Sequence, residues 1–334
     1  MAVTSPPTVA ELAARVVAGV PAAVARAISW VETGGRRAEE LLESLPPRTA
    51  HVIGITGSPG AGKSTLVNAL VAALRARETT VAVVAVDPSS PLTGGALLGD
   101  RVRLEGVTGD KGVFFRSLAS RGASGGVSEA TRAATHVLSA AGFDVVLVET
   151  VGAGQSEVEV MRMADSVVVV LIPGAGDDMQ AMKAGLMEIA DVFALNKADL
   201  PGAAELKAHV VAALRSRDRS DGWYPRMVAT TAHRHEGIDE LIEALDKHRV
   251  HLTGGDGAVR EVAGIRAEVL RRVKAEFARA ALRRLDEVLV EARAEGFGEP
   301  EAARRLLTRT AGDLHRAGSG ETPTTSEESD DDQP

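Results

Sequence analysis

The chain has 334 residues, of which 45% are apolar and 25% charged, and it carries a net charge of −8. That is ample for one α/β domain with appended helices, and the acidic balance argues against a general nucleic-acid binder, which needs a basic face. The absence of cysteine excludes disulfides, thiolate metal sites and cysteine nucleophiles.

Thr8 to Leu45 reads as helical, with Leu12, Val16, Val17 and Val20 and then Val24, Ile28 and Val31 at helical spacing. Gly34-Gly35 sets off a further short helix that ends before Pro46-Pro47. Val16 to Val31 is interrupted by Pro21 and Arg26 and is too short to cross a bilayer. A cytoplasmic protein with no membrane partner is the expectation. The centre then alternates apolar runs with helical stretches. The runs are His51–Thr56, Thr80–Val86, Val113–Arg116, Phe143–Val148, Ser166–Ile172, Asp191–Leu195 and Arg226–Thr230. Most are rich in Val and Ile and lack clean alternation, as strands covered on both faces should. Helices are expected between them at Ser64–Arg75, Ser128–Ala141 and Met179–Ile189. That order predicts a mostly parallel sheet with helices on both faces, whose ligand sits at the carboxyl ends of the strands. Long helices follow over Ala258–Ala294 and Glu299–Ala311, before a tail of Gly, Ser, Thr and acidic residues. The chain thus divides into an N-terminal helical extension (1–47), a central domain (48–253), a C-terminal helical arm (254–314) and a disordered acidic tail (315–334).

Gly57-Ser58-Pro59-Gly60-Ala61-Gly62-Lys63-Ser64 matches G-x-x-x-x-G-K-[ST] in full, between an apolar run and a helical stretch. Glycines let successive backbone N–H groups turn inward toward phosphate oxygens, and the helix N-terminus adds its dipole. Lys63 reaches the terminal phosphates, Ser64 offers a hydroxyl to Mg²⁺, and Thr65 continues the loop. Asn196-Lys197-Ala198-Asp199 ends a later run. A carboxylate at Asp199 can accept from both N1–H and the 2-amino group of guanine, a pair that adenine lacks. Lys197 would lie along the base, Asn196 would brace neighbouring loops, and Thr231 and Ala232 would flank the guanine. Glu149-Thr150-Val151-Gly152 stands where GTPases carry D-x-x-G, so Glu149 would support the metal and the Gly152 amide the γ-phosphate. Asp87 and Asp100 are further carboxylates within plausible reach of magnesium, Asp100 only if its Gly-rich stretch closes. His233 and His235 form a lone His-x-His, a pattern more often solvated than metal-binding.

Taken in order, these motifs resemble the MeaB/ArgK family, G-protein chaperones of adenosylcobalamin-dependent acyl-CoA mutases related to the methylmalonic aciduria type A protein. Asp87-Pro88-Ser89-Ser90, Gly99-Asp100-Arg101, Phe115 to Gly122, Val151 to Glu157 and Pro173 to Asp178 extend the resemblance over about residues 10–310. It implies a P-loop fold of the SIMIBI type, a homodimer through the C-terminal arm, and magnesium among Ser64, Asp87, Asp100 and Glu149. Segments 87–103, 149–163 and 174–183 would be switches, the last facing the mutase. Phe115, Leu118, Met179 and Met182 depart from the apolar residues expected there. Phosphoryl transfer asks mainly for positioning and charge neutralisation. Lys63 and Gly152 serve that need. Gln155 is the nearest group to orient water, although the usual glutamine follows the glycine directly. Slow hydrolysis, stimulated by a partner, is therefore expected. Two rivals share parts of this pattern: a nickel-inserting GTPase, which needs Cys or clustered His, and an ATP-dependent kinase linked to basic amino-acid transport, which has no use for Asp199.

Overall fold

The computed structural model describes residues 7–88, 109–120, 126–150, 161, 163–174, 186–215, 222–254 and 257–319. It divides into two compact units, 1–258 and 259–334. Three short helices open the first: α1 (Val9–Val17), α2 (Pro21–Thr33) and α3 (Arg36–Ser44). Thr8 starts α1 with a reciprocal cap: its hydroxyl accepts from Glu11 N, and the Glu11 carboxylate accepts from Thr8 N. Pro21 occupies the first turn of α2, where its missing N–H costs nothing.

All seven apolar runs form strands: β1 (His51–Gly57), β2 (Val81–Pro88), β3 (Val113–Ser120), β4 (Val145–Thr150), β5 (Ser166–Leu171), β6 (Val192–Leu195) and β7 (Arg226–Ala229). They pair in the order β3-β2-β4-β1-β5-β6-β7, every neighbour parallel. The expected mostly parallel sheet is therefore parallel throughout. Between the strands lie α4 (Lys63–Ala76), α5 (Gly126–Ala140), α6 (Leu186–Ile189) and α7 (Ala203–Arg215), and α8 (Ile238–Thr253) follows β7. Of the expected helix Met179–Ile189, residues 175–185 lie outside the described residues.

Every residue of β1, β4 and β5 is buried, because helices cover both faces. Val52, Val84, Val146 and Val169 pack with α1, α2, α3 and α5 on one face. Ile55, Val83, Leu147 and Val168 pack with α4 and α8 on the other. The N-terminal helices thus share a core with the sheet. β1 lies centrally, with β4 on one side and β5 on the other, so the chain leaves it at the point where strand order reverses. Sheets of this kind open a ligand crevice there.

In the second unit α9 (Gly257–Glu295) and α10 (Glu299–Ser319) are joined by a turn at Gly296. Two bidentate pairs tie them, Arg284 to Asp313 and Arg309 to Glu291. These bonds hold the Glu291 and Asp313 carboxyls below their ordinary range. Residues 315–319, expected in the tail, are helical instead; Arg316 Nη2 donates to Asp313 Oδ1 at 2.7 Å. Residues 320–334 lie outside the described residues. Among the described residues no helix is long and apolar enough to cross a membrane.

Candidate nucleotide site

The turn after β1 needs glycine at two places. Gly57 has φ +146°, and a Cβ there would stand 2.3 Å from the Val170 carbonyl oxygen on β5. Gly62 caps α4 in the left-handed region at φ +86°, where a Cβ would meet Asn196 Nδ2 at 2.5 Å. Between them Pro59 and Gly60 are exposed while Ser58 and Ala61 are buried. The loop therefore opens toward solvent at the start of a 14-residue helix, whose first backbone N–H groups have no partner within the helix. This is an anion cradle built from backbone.

Lys63 begins α4 and is 7% exposed. Its Nζ curls back over the loop and donates to the carbonyls of Gly57 at 2.6 Å and Ser58 at 3.0 Å. The next residue, Ser64, donates its hydroxyl to Glu149 Oε1 at 2.5 Å. Glu149 lies beside Ile55 across the β1–β4 pairing and is only 2% exposed. A hydroxyl and a buried carboxylate thus meet next to the lysine that lies over the loop.

The neighbouring loops are pinned by Asn196. Its Nδ2 donates to Ala61 O in the phosphate loop at 2.9 Å, while its Oδ1 accepts from Ala232 N at 3.1 Å and Thr230 Oγ1 at 3.3 Å. One buried amide therefore links the loops after β1, β6 and β7. Lys197, at φ +53°, sends Nζ to Gly60 O at 3.0 Å. Asp199 follows in the same turn, 28% exposed, with Arg234 Nη2 3.7 Å from its Oδ2. Thr231 and Ala232 lead into a single 3₁₀ turn over Ala232–Arg234, and His233 and His235 are both exposed.

The structure brings together residues 57–65, Glu149, Asn196, Lys197, Asp199, Thr231 and Ala232. Asp87 lies at the end of β2 opposite Ala119, its side chain outside the described residues, as are Asp100, Gly152 and Gln155 altogether. Of the expected magnesium set only Ser64 and Glu149 are thus described. Both offer hard oxygens in contact, which suits that ion. Among the described residues no three His, Asp or Glu side chains cluster as a ready-made metal site. Two features escaped sequence reasoning. Arg234 carried no signal beyond being one cation in a polar loop. Thr56 and Thr150, buried at the same strand ends, have hydroxyls without a hydrogen-bond partner among the described residues.

Residues 24–283 match the family model described as "Methylmalonyl Co-A mutase-associated GTPase MeaB". The chain belongs to the MeaB family of GTPases. Similar proteins include the GTPase ArgK of Escherichia coli, 40% identical over 270 residues that cover 76% of this chain and 80% of that protein. The mouse protein "Methylmalonic aciduria type A homolog, mitochondrial" is 34% identical over 267 residues, 73% of this chain and 64% of its own length. A crystal structure described as LAO/AO transport system kinase superposes over 91% of this chain and 98% of its own, with TM-score 0.66 and 30% identity. Family and fold agree: this MeaB-family chain is a P-loop GTPase.

Proposed function

We propose that this GTPase is magnesium-dependent and serves an adenosylcobalamin-dependent acyl-CoA mutase, in the first place methylmalonyl-CoA mutase, gating cobalamin loading and reactivation. The match of residues 24–283 to mutase-associated GTPases carries this reading. In it, the helices of 1–47 flank a GTPase domain at 48–253, and the arm at 254–314 pairs with a second copy.

At the site, the amides of residues 57–65 bind phosphate oxygens, and Lys63 exchanges its two carbonyl partners for the β- and γ-phosphates. Asp199 accepts from guanine while Asn196 keeps the phosphate and base loops in register. Ser64 and Glu149, with Asp87 and Asp100, would hold Mg²⁺, whose charge offsets that developing on the phosphates. The Gly152 amide holds the γ-phosphate, and Gln155 is the candidate for placing water. With that glutamine displaced from its usual position, intrinsic turnover is slow and rises when a partner orders the site.

A second reading is favoured by the name of the LAO/AO transport system kinase structure. It would make the chain an ATP-dependent enzyme. Calorimetric titration with GTP and ATP, each with and without magnesium, separates the two, and preference for ATP would end the GTPase reading. Asp199→Asn is expected to weaken GTP and favour xanthosine triphosphate. Co-purification of a cobalamin mutase subunit with the tagged chain, in one nucleotide state and not the other, tests the partner.

A further inference from the structure

Asp199 has a backbone that is firmly held. Ala198 N donates to Thr230 O at 3.1 Å, Leu200 N to Lys197 O at 3.0 Å, and Lys197 takes a left-handed conformation to make the turn. Its side chain is held differently. Among the described residues the contact to its carboxylate is the ion pair with Arg234. Arg234 comes from the loop after β7, and that loop is also rigid. Thr231 and Glu236 bond to each other through their backbones, Arg234 N donates to Thr231 O at 2.8 Å, and His235 and Gly237 adopt positive φ to close the turn. Gly237 packs close against the end of β7, where an added Cβ would stand 2.0 Å from Ala229 O. Two stiff loops thus face one another, bridged by a cation and a carboxylate.

The separation of 3.7 Å decides what that bridge can do. It is beyond hydrogen-bonding distance, so the arginine attracts the carboxylate without consuming its lone pairs. A carboxylate offers about four acceptor positions, and guanine needs two of them. The cation and the base can therefore share Asp199.

We infer that Arg234 is a positioning residue for base recognition, an electrostatic brace that holds the Asp199 carboxylate for guanine from the loop after β7. The inference rests on Asp199 as the guanine acceptor. Arg234 and Asp199 are 55% and 28% exposed, so the brace works through partly solvated charge and its contribution is modest and salt-sensitive.

The test uses the full chain and a fluorescent GDP derivative labelled on the ribose, with affinity and dissociation rate measured at about 0.1 M and 1 M salt. Arg234→Ala is expected to weaken GDP about two- to fivefold at the lower salt. The difference should vanish at the higher salt, and Arg234→Lys should recover most of it. In an Asp199→Asn background, Arg234→Ala should change nothing further, because the charge it braces is gone. Unchanged or tighter GDP binding in Arg234→Ala, or an equal loss in the Asp199→Asn background, overturns the brace while leaving guanine recognition by Asp199 intact. Wild-type GDP affinity in the Asp199→Asn single variant removes that recognition and the brace with it.

Discussion

The same strands carry polar clusters at both ends, and the two clusters differ in kind. At the amino ends, Ser166 Oγ of β5 lies 2.7 Å from His51 Nε2 of β1 and 2.7 Å from His248 Nδ1 of α8. His248 Nε2 is 3.4 Å from Asp191 Oδ1, and Asp191 Oδ2 accepts from Val167 N. A serine has one proton, so one imidazole must donate to it and the other accept. The carboxylate favours a proton on His248 Nε2, which makes His248 the acceptor and His51 the donor. Trp223 closes the cluster, its Nε1 donating to Asp191 O and its ring 4.8 Å from that of His248. Serine, histidine and aspartate here have the composition of a catalytic triad. Yet Ser166 and His248 are 0% exposed, so no substrate reaches them. At the carboxyl ends the phosphate loop opens to solvent at Pro59 and Gly60, and the side chains of Lys63, Ser64 and Glu149 stand beside it with oxygens and a charge to offer a ligand. Chemistry belongs to the polar cluster that retains capacity for a ligand. The cluster that satisfies itself belongs to stability.

Variants at the two ends should therefore fail in opposite ways. The largest effect is expected from Lys63→Ala, which removes the charge over the phosphate loop. Phosphate release should fall at least about a hundredfold, with the melting temperature of the nucleotide-free protein little changed; retained turnover would take Lys63 out of the reaction. Asp191→Ala should do the reverse. It takes the acceptor from the buried Val167 N–H and the carboxylate from beside His248 and costs about 3 kcal/mol, read as a lower melting temperature with GDP affinity preserved. If GDP affinity fell while stability held, the division between the two ends would be wrong.

Acid should act on the amino end first. Burial holds the His51 imidazole neutral, its pKa lowered from 6.5 to about 4, with Arg249 and Arg48 adding to the effect and Asp165 opposing it. The folded pKa lies below the unfolded one, so the stability from neutral His51 is fully present above pH 6.5. It drains away as pH falls from 6.5 toward 4. At pH 5 the loss is about 2 kcal/mol, measurable by urea unfolding at pH 7 and pH 5. His51→Gln should flatten that dependence, and a profile unchanged by the substitution would exclude His51 as its source. The smallest effect is expected from Thr150→Val at the carboxyl end. The valine keeps the shape and removes a buried hydroxyl that has no partner among the described residues, so stability should stay level or rise by about 1 kcal/mol. A clear loss in the same unfolding assay would mean that the hydroxyl is bonded in solution.

Most of the sheet was legible in advance because strands buried on both faces need apolar runs, and most of these runs were rich in Val and Ile and bounded by Gly, Asp or Pro. Boundaries were softer. The run from Phe143 becomes a strand only at Val145, since Phe143 N turns back to Leu138 O and Asp144 caps the turn by accepting from Thr80 N. The helical end at Ser319 was also missed, because Gly and Ser lower helix propensity without forbidding a last turn that Arg316 and Asp313 support. Of the site, the phosphate loop was readable as a contiguous motif, and Asn196 was expected to brace loops.

By itself, the order of residues determined whatever depends on neighbours in the chain: the strand runs, the helix caps, and the glycines that let the backbone turn around phosphate. It suggested that Ser64 and Glu149 share a metal and that Asn196 braces loops, but it did not fix which atoms far apart in the chain meet. Asn196 meets Ala61 across 135 positions, Ser64 meets Glu149 across 85, and His51 meets Ser166 across 115. Those meetings were decided by the parallel register and by the placing of β1 between β4 and β5. Hydrogen bonds and ion pairs act over a few ångströms, and only the folded sheet brings these side chains that close.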